Sequence, residues 1–151
     1  MTTDSNENFK VSLKKDDILC LEGEADNDLY IVHSGKLLVF ARKRSQVTQL
    51  GHIGPGEYFG ELSFFDDKPR SADVIALEDT VLIRFPHSEL RNQFPQWLIT
   101  IAQSLANRLR VADDVIRTSG IKKKNADGIS PMSVDEQGRI FRLVKEKESK
   151  N

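Results

Sequence analysis

Residues 59–76 read F-G-E-L-S-F-F-D-D-K-P-R-S-A-D-V-I-A, and no other part of the chain is as informative about its fold. Gly60 allows a sharp backbone turn, and residues 61–67 suit a short helix whose first N–H groups lack partners within it. Such N–H groups attract anions. Arg70 returns to the same loop with a guanidinium that suits two-pronged phosphate binding. Together with Glu61, these features predict a site for a molecule carrying both a hydroxylated sugar and a phosphate.

This stretch closely resembles the phosphate-binding cassette of cyclic nucleotide-binding domains. In that family the glutamate of F-G-E binds the ribose 2′-hydroxyl group, and the arginine of P-R-[STA]-A binds the cyclic phosphate. The resemblance therefore implies these two roles for Glu61 and Arg70. It also implies phosphate contacts from backbone N–H groups of the cassette, which we expect at Gly60, Leu62, Ser71 and Ala72.

The resemblance covers roughly the first 117 residues of the chain. Residues 21–40 (L-E-G-E-A-D-N-D-L-Y-I-V-H-S-G-K-L-L-V-F) are similar to the family's early strands, and residues 50–58 (L-G-H-I-G-P-G-E-Y) to its approach to the cassette. The implied fold is mainly β: a β-roll, also described as a jelly roll or double-stranded β-helix, with flanking helices and a long C-terminal helix.

The apolar pattern from Phe9 onward agrees with a β-rich domain. Short apolar runs alternate with glycine or acidic turns, which is typical of an all-β sandwich or barrel. Gly54-Pro55-Gly56 is a strong turn signal. The predicted strands are Ile18–Leu21, Leu29–Val32, Leu37–Ala41, Val47–Ile53, Val74–Leu77 and Val81–Phe85.

Two helices are predicted after the strands. Residues 86–91 suit a short helix with Ser88 as its cap, and Pro95 fits the first turn of a longer helix that ends near residue 119. The apolar residues of the longer helix recur at steps of three and four, so they share one face. They are Leu98, Ile101, Leu105, Leu109, Ala112 and Ile116, with Trp97, Val111 and Val115 widening the face.

This apolar face has two readings. It packs on the helix's own domain, or part of it pairs with the same helix of a second copy. Because one side of so wide a stripe stays uncovered in the first reading, we favour a homodimer.

Composition indicates a soluble domain. The chain has 151 residues, of which 38% are hydrophobic and 30% charged, and no apolar run approaches the ~20 residues that span a bilayer. The polar N-terminus shows no secretory signal, and Cys20, the only cysteine, cannot form an internal disulfide. We therefore expect a cytoplasmic protein in which Cys20 is a small core residue.

The sequence divides into a leader (1–8), a nucleotide-binding domain with its C-terminal helix (9–118), and a linker with a tail (119–151) that is a candidate partner-contacting segment. Residues 1–117 carry 14 basic and 18 acidic side chains, whereas residues 118–151 carry eight and five. The acidic body is unlike a nucleic-acid binder. The basic triplet at 122–124 is expected to be a solvated segment.

Residues 134–147 contain enough apolar side chains to become ordered against another surface. They faintly resemble the opening of the first helix in the DNA-binding half of bacterial cyclic-AMP-responsive regulators. A helix-turn-helix needs several further helices, so we expect no recognition helix here and no nucleic acid as a partner.

Base recognition is harder to predict. Catabolite-activator-like proteins contact the base through an arginine and a following Thr-Ser pair on the long helix. Residues 107–114 (N-R-L-R-V-A-D-D) resemble that segment, so Arg108 matches the arginine, while Ala112 and Asp113 replace the pair. A carboxylate accepts from the two adjacent donors of guanine, so Asp113, helped by Ser71, favours cyclic GMP at least as much as cyclic AMP. The alternative is that Asp113 simply faces solvent.

The sequence gives little support for catalysis. His33, His52 and His87 lie at separate turns or strand ends, and no metal-ligand spacing, nucleophile elbow, Walker loop or dinucleotide fingerprint is present. We therefore expect no enzyme, no catalytic residue, no metal and no cofactor, only cAMP or cGMP as a ligand.

The function that follows is a sensor that relays nucleotide occupancy to a partner protein. A degenerate domain that serves as an interaction or scaffold module and no longer senses nucleotide is the alternative. Glu61 and Arg70 are both present, which favours the sensor.

Overall fold

The core of the domain is a β-roll of two antiparallel sheets, seen in a computed structural model that describes residues 9–119 and 132–150. Within these residues the strands are β1 (Lys10–Leu13), β2 (Ile18–Cys20), β3 (Leu29–Ser34), β4 (Leu37–Lys43), β5 (Gln46–Ile53), β6 (Tyr58–Phe59), β7 (Asp73–Ala76) and β8 (Thr80–Phe85). The first sheet has the order β1-β8-β3-β6 and the second β2-β7-β4-β5. The expected leader and the basic triplet lie outside the described residues.

The β-roll prediction is confirmed, and all six predicted strands are present. The sequence missed β1 and β6. Strand β1 (K-V-S-L) has only two apolar side chains, and neither is fully buried, while β6 is two residues long. Each strand is too short for its pattern to be recognised, and both pair with a neighbouring strand, β1 with β8 and β6 with β3.

The second sheet buries apolar side chains on both of its faces. Because successive side chains of a strand point to opposite faces, Leu37 of β4 enters the interior between the sheets, whereas Leu38 and Phe40 face outward. The buried interior residues are Cys20, Tyr30, Val32, Leu37, Phe59, Val74, Ala76 and Leu82. An outward apolar face requires a cover, which the C-terminal part of the chain provides.

That cover is helix α4 (Val134–Glu148), which packs Ile140 and Val144 on the outer face of the second sheet. The helix begins with a capping box: the Ser133 side chain accepts from the Glu136 N–H, and the Glu136 side chain accepts from the Ser133 N–H. The prediction that this segment becomes ordered against another surface is confirmed. Its role as a partner-contacting segment stays a prediction.

The remaining helices are α1 (Glu61–Asp66), α2 (His87–Leu90) with a 3₁₀ turn (Arg91–Gln93), and α3 (Gln96–Ser119). The prediction that Ser88 caps α2 is wrong. The N-cap residue is Pro86, and no side-chain hydrogen bond caps the start of this helix. Asp28, distant in sequence, accepts from the His87 N–H at 2.9 Å and satisfies that donor instead. None of the described helices is both long and apolar enough to cross a membrane.

Helix α3 turns its predicted apolar face away from the roll. Ile99 and Ala106 are buried against the domain at 5% and 3% exposed. By contrast Ile101, Leu105 and Leu109 are all about half exposed, as part of a set we call the α3 stripe. It consists of Trp97, Ile101, Leu105, Leu109, Val111 and Val115. The helix packs on α1 mainly through its other side, so the described residues leave the stripe uncovered.

Cys20 is a core residue, as predicted. It is 1% exposed, and its Sγ lies 3.7 Å from the carbonyl oxygen of Ala72. Burial raises the pKa of its thiol to about 12, so the thiol stays protonated at neutral pH. A protonated, buried thiol is a poor nucleophile, which leaves Cys20 a packing role.

Candidate functional site

A cavity of about 190 Å³ lies where the predicted cassette meets the β4–β5 hairpin and α3. The cassette supplies Gly60, Glu61, Leu62, Ser63, Arg70, Ser71 and Ala72. The hairpin supplies Val39 and residues 50–53, and α3 supplies Asp113. All six residues predicted for the phosphate and ribose thus share one cavity, although they come from two segments of the chain.

Arg70 is the most unusual residue of this cavity, because its charged side chain is buried and only 3% of the residue is exposed. Its Nη2 donates to a carboxylate oxygen of Asp26 and to the carbonyl oxygen of Asp28, both at 2.7 Å. Its Nη1 donates to the Gly60 carbonyl oxygen at 3.3 Å. The guanidinium carbon lies 5.0 Å from the ring centroid of Phe59, within the range of a cation–π interaction.

One donor of Arg70 is left without a partner. Its Nε is buried, and no described group accepts from it. A buried donor without an acceptor costs about 1–3 kcal/mol, and more when it belongs to a charged group. Asp26 is its one ion-pair partner among the described residues, and the Nε donor is left over for an acceptor such as an anion.

The backbone around Arg70 is equally constrained. Its N–H donates to the Glu24 carbonyl oxygen and its carbonyl oxygen accepts from the Gly23 N–H, both at 2.9 Å. The loop that precedes it is held from α3, since Arg110 Nη2 donates to Asp66 at 2.9 Å and Arg110 Nη1 to the Pro69 carbonyl oxygen at 3.2 Å. These contacts fix the position of the cassette arginine within the fold.

Gly60 is required by the geometry of this arginine. Its φ of 88° lies in the left-handed region, which side chains disfavour. A Cβ placed there would stand 2.4 Å from Arg70 Nη1 and 2.6 Å from the Asp28 carbonyl oxygen. The close approach that the sequence predicted for Gly60 is therefore an approach to the guanidinium itself.

Glu61 stands at the first position of α1, beside this arginine. Desolvation raises the pKa of its carboxyl group, and the charge of Asp113 across the cavity adds to the increase. The N–H groups of Glu61 and Gly60 and the charge of Arg70 act in the opposite direction without cancelling it. Ionised Glu61 is thus a desolvated acceptor, which a donor such as a sugar hydroxyl group would stabilise.

The two residues predicted for the base are in different places. Asp113 lines the cavity, whereas Arg108 is exposed and is absent from the cavity wall. At 3.6 residues per turn, five residues separate their directions by about 140° around α3, so both cannot face the same cavity. Arg108 is thus not part of this cavity wall, and its contact with the base stays a prediction.

The sequence analysis did not identify two residues that position the cassette. Asp26 pairs with Arg70, and Arg110 pairs with Asp66. Asp26 is 44 residues away along the chain, and Arg110 is 44 residues from its partner Asp66. The acidic run at 24–28 was the available signal for Asp26, but turns are commonly acidic. Nothing in the local spacing of Arg110 marked its contact with the cassette. Within the described residues, no cluster of histidine, cysteine and acidic side chains suits a metal ion.

Comparison with known proteins agrees with this geometry. The sequence model of the cyclic nucleotide-binding domain matches residues 10–96, more than half of the chain. The chain belongs to the cyclic nucleotide-binding domain family. Its cassette and β-roll are therefore those of a nucleotide-binding domain, as the sequence predicted.

Relatives of this domain occur in proteins of different kinds. The chain is 40% identical over 96 residues to the cyclic AMP receptor protein of Thermus thermophilus. The aligned residues make up 61% of the chain and 44% of that protein. It is 35% identical over 106 residues to lysophospholipase NTE1 of Chaetomium globosum, covering 67% of the chain and 7% of that protein. The chain thus spans less than half the length of these relatives.

Two solved structures illustrate the same fold. The cAMP-bound form of the EAL enzyme Bd1971 superposes with a TM-score of 0.63 at 32% identity, over 74% of this chain and 31% of that one. The Thermus thermophilus catabolite activator protein has a TM-score of 0.56 at 24% identity, over 92% of this chain and 79% of that one. The second likeness shows the fold alone.

Gly60→Ala is predicted to destabilise the domain by about 1–3 kcal/mol, because it combines a strained φ with a clash against Arg70. Urea unfolding monitored by circular dichroism measures the change. Gly54→Ala is the matched control: the nearest atom to its new Cβ would be a Glu57 carboxylate oxygen at 3.7 Å. Equal stability of the two variants would contradict the close packing at Gly60.

Proposed function

We propose that this protein binds a cyclic nucleotide, cAMP or cGMP, in the cassette cavity and relays its occupancy to a partner protein as a regulatory sensor. The observation that carries the proposal is Arg70, a buried guanidinium with an unpartnered Nε in a cavity that Glu61 also lines. Membership of the family supports it, and so does the likeness to an enzyme solved in cAMP-bound and cGMP-bound forms.

The chemistry of the ligand matches the two ends of the cassette. A cyclic phosphate carries one negative charge and suits Arg70 together with backbone N–H groups, since charge-assisted hydrogen bonds are the strong ones. The ribose 2′-hydroxyl group is a donor, which ionised Glu61 accepts. These are binding roles, so we propose that the nucleotide is bound and released unchanged. We also propose a cytoplasmic location, since Cys20, the only cysteine of the sequence, cannot form an internal disulfide.

One observation favours the alternative of a domain that no longer senses nucleotide. Asp26 already pairs with Arg70, so the guanidinium is not wholly dependent on a ligand for charge balance. In this hypothesis the cassette is a structural unit, and the surface of the domain serves as an interaction module. Nucleotide binding itself separates the two hypotheses, because a ligand that binds only the native state must raise the melting temperature.

Arg70→Lys is predicted to weaken cAMP and cGMP binding about 10–100-fold, because lysine keeps the charge but loses the fork and the Nε donor. Isothermal titration calorimetry measures the affinities, and a thermal shift assay checks that the variant is folded. Arg84→Lys, at a half-exposed arginine paired with Asp28, is the control. A wild-type protein that binds neither nucleotide would instead support the interaction module.

The affinity is predicted to depend on pH through Glu61. Because the pKa of its carboxyl group is raised, protonation begins at a higher pH than for an ordinary glutamate, and the protonated group is a weaker acceptor. Affinity should therefore fall as the pH decreases, starting at a higher pH than an ordinary glutamate would cause, whereas Glu61→Gln should bind more weakly with a flatter profile. The apo melting temperature of Glu61→Gln should not fall at neutral pH, because a raised pKa means that ionised Glu61 opposes folding. A wild-type affinity that is independent of pH would exclude this role.

Base preference is proposed to depend on Asp113. With the phosphate at Arg70, the base extends along the β4–β5 wall toward α3, where Asp113 lines the cavity. Its carboxylate suits the N1–H and 2-amino donors of guanine. We predict that Asp113→Ala weakens cGMP binding about ten-fold and leaves cAMP binding nearly unchanged. A strong cAMP preference that Asp113→Ala does not alter would contradict the guanine hypothesis.

A homodimer through α3 is the proposed assembly, because every apolar side chain of the α3 stripe is at least half exposed on the side of the helix away from the roll. Leu105→Glu is predicted to convert a dimer into a monomer in sedimentation equilibrium. Asn107→Glu adds the same charge at an exposed position outside the stripe and should leave the dimer intact. A wild-type protein that sediments as a monomer would contradict the proposal.

The relay is proposed to begin where α3 meets the cassette. Arg110 holds both Asp66 and the Pro69 carbonyl oxygen, so the shape of the cassette loop and the position of α3 are linked. A ligand shifts such an equilibrium only by its different affinities for the two arrangements. The segment 119–151 is the proposed element whose docking changes with occupancy.

A further inference from the structure

Helix α4 is fastened to the roll by polar contacts around its apolar centre. Ile140 and Val144 are 1% and 0% exposed on the second sheet. The Gln137 side chain accepts from the N–H of Val47, a residue of edge strand β5, at 3.1 Å. Arg139 pairs with Asp16 near the start of the helix. At its end, Glu148 accepts from Arg42 Nη1 at 3.0 Å.

Arg42 connects this last contact to the strand that leaves the cassette. Its Nε and Nη2 donate to the two carboxylate oxygens of Asp73, the first residue of β7. Asp73 is fully buried and follows the cassette residue Ala72 directly. A single guanidinium therefore bridges Asp73 at the end of the cassette and Glu148 at the end of α4.

The same turn holds Asp73 and the cassette arginine. The Glu22 N–H donates to Asp73 at 2.8 Å, and the neighbouring Gly23 and Glu24 form the two backbone hydrogen bonds to Arg70. A displacement of Asp73 thus moves the turn that positions Arg70. Asp73 is therefore held both by Arg42 and by the turn that positions Arg70, and the loss of either partner from this buried carboxylate is costly.

We infer that α4 docking and nucleotide binding are thermodynamically linked through Asp73, Arg42 and Glu148, so that bound nucleotide favours docked α4. This linkage rests on the proposed nucleotide binding, and Asp73, Arg42 and Glu148 are the contacts through which occupancy reaches the tail. Arg42 contacts the docked helix and Asp73 at the same time, and from this common residue we infer a positive sign of the linkage. Linkage is reciprocal: docking of α4 must strengthen nucleotide binding by the same factor by which nucleotide strengthens docking.

The test uses the full chain and hydrogen–deuterium exchange of the α4 amides, with and without saturating cAMP or cGMP. In the wild type, nucleotide is expected to slow α4 exchange about five-fold or more beyond the slowing in β1 and β8, which report general stabilisation. Glu148→Gln, which breaks the route through Arg42, should lose most of this additional slowing and bind nucleotide no more tightly than the wild type. Glu146→Gln makes the same change at an exposed position of the same helix and should behave as the wild type.

The outcomes separate this inference from the proposed function. If calorimetry shows that nucleotide binds but α4 exchange changes no more than β1 exchange, the linkage is overturned and the proposed function stands. Equal behaviour of Glu148→Gln and Glu146→Gln would also overturn the route through Arg42. If neither nucleotide binds, the proposed function and the linkage fail together. Glu148 is the tested end because Arg42→Gln would leave Asp73 buried without its partner and risk unfolding.

Discussion

The burial of one guanidinium is the constraint on which the rest of this structure depends. A charged group removed from water costs several kcal/mol unless its partners are already in position. Arg70 meets this condition through Asp26, two backbone carbonyl oxygens and the ring of Phe59. The left-handed backbone at Gly60 follows from the same condition, because a Cβ there would occupy the space of the guanidinium.

The second sheet connects the cassette with the outer surface of the roll. Its inner face closes the roll, and its outer face is apolar enough to require α4 as a cover. At the border between the cassette and this outer face lies Asp73, a buried carboxylate that only Arg42 neutralises through an ion pair among the described residues. Strand β7 therefore begins at a charge pair that both the cassette and α4 share. One guanidinium thus contacts both the end of the cassette and the end of the tail helix.

The two sides of helix α3 have different surroundings. Arg110 and Asp113 face the cassette and its cavity, so the side that packs on the roll is partly polar. The α3 stripe is on the other side, where an amphipathic helix usually meets solvent. A helix that buries polar contacts and exposes apolar ones is suited to connect a ligand site with a second surface.

The sequence by itself determined the cassette and six of the strands, because both are local: a fixed spacing of Glu61 and Arg70, and short apolar runs between turns. It also located the apolar stripe of α3 and the helical tail. Only the tertiary structure decided that the stripe faces outward, since periodicity is identical for either orientation. It alone paired Arg70 with Asp26 and Arg42 with both Asp73 and Glu148, because contacts between residues distant in the chain are set by packing and leave no local pattern.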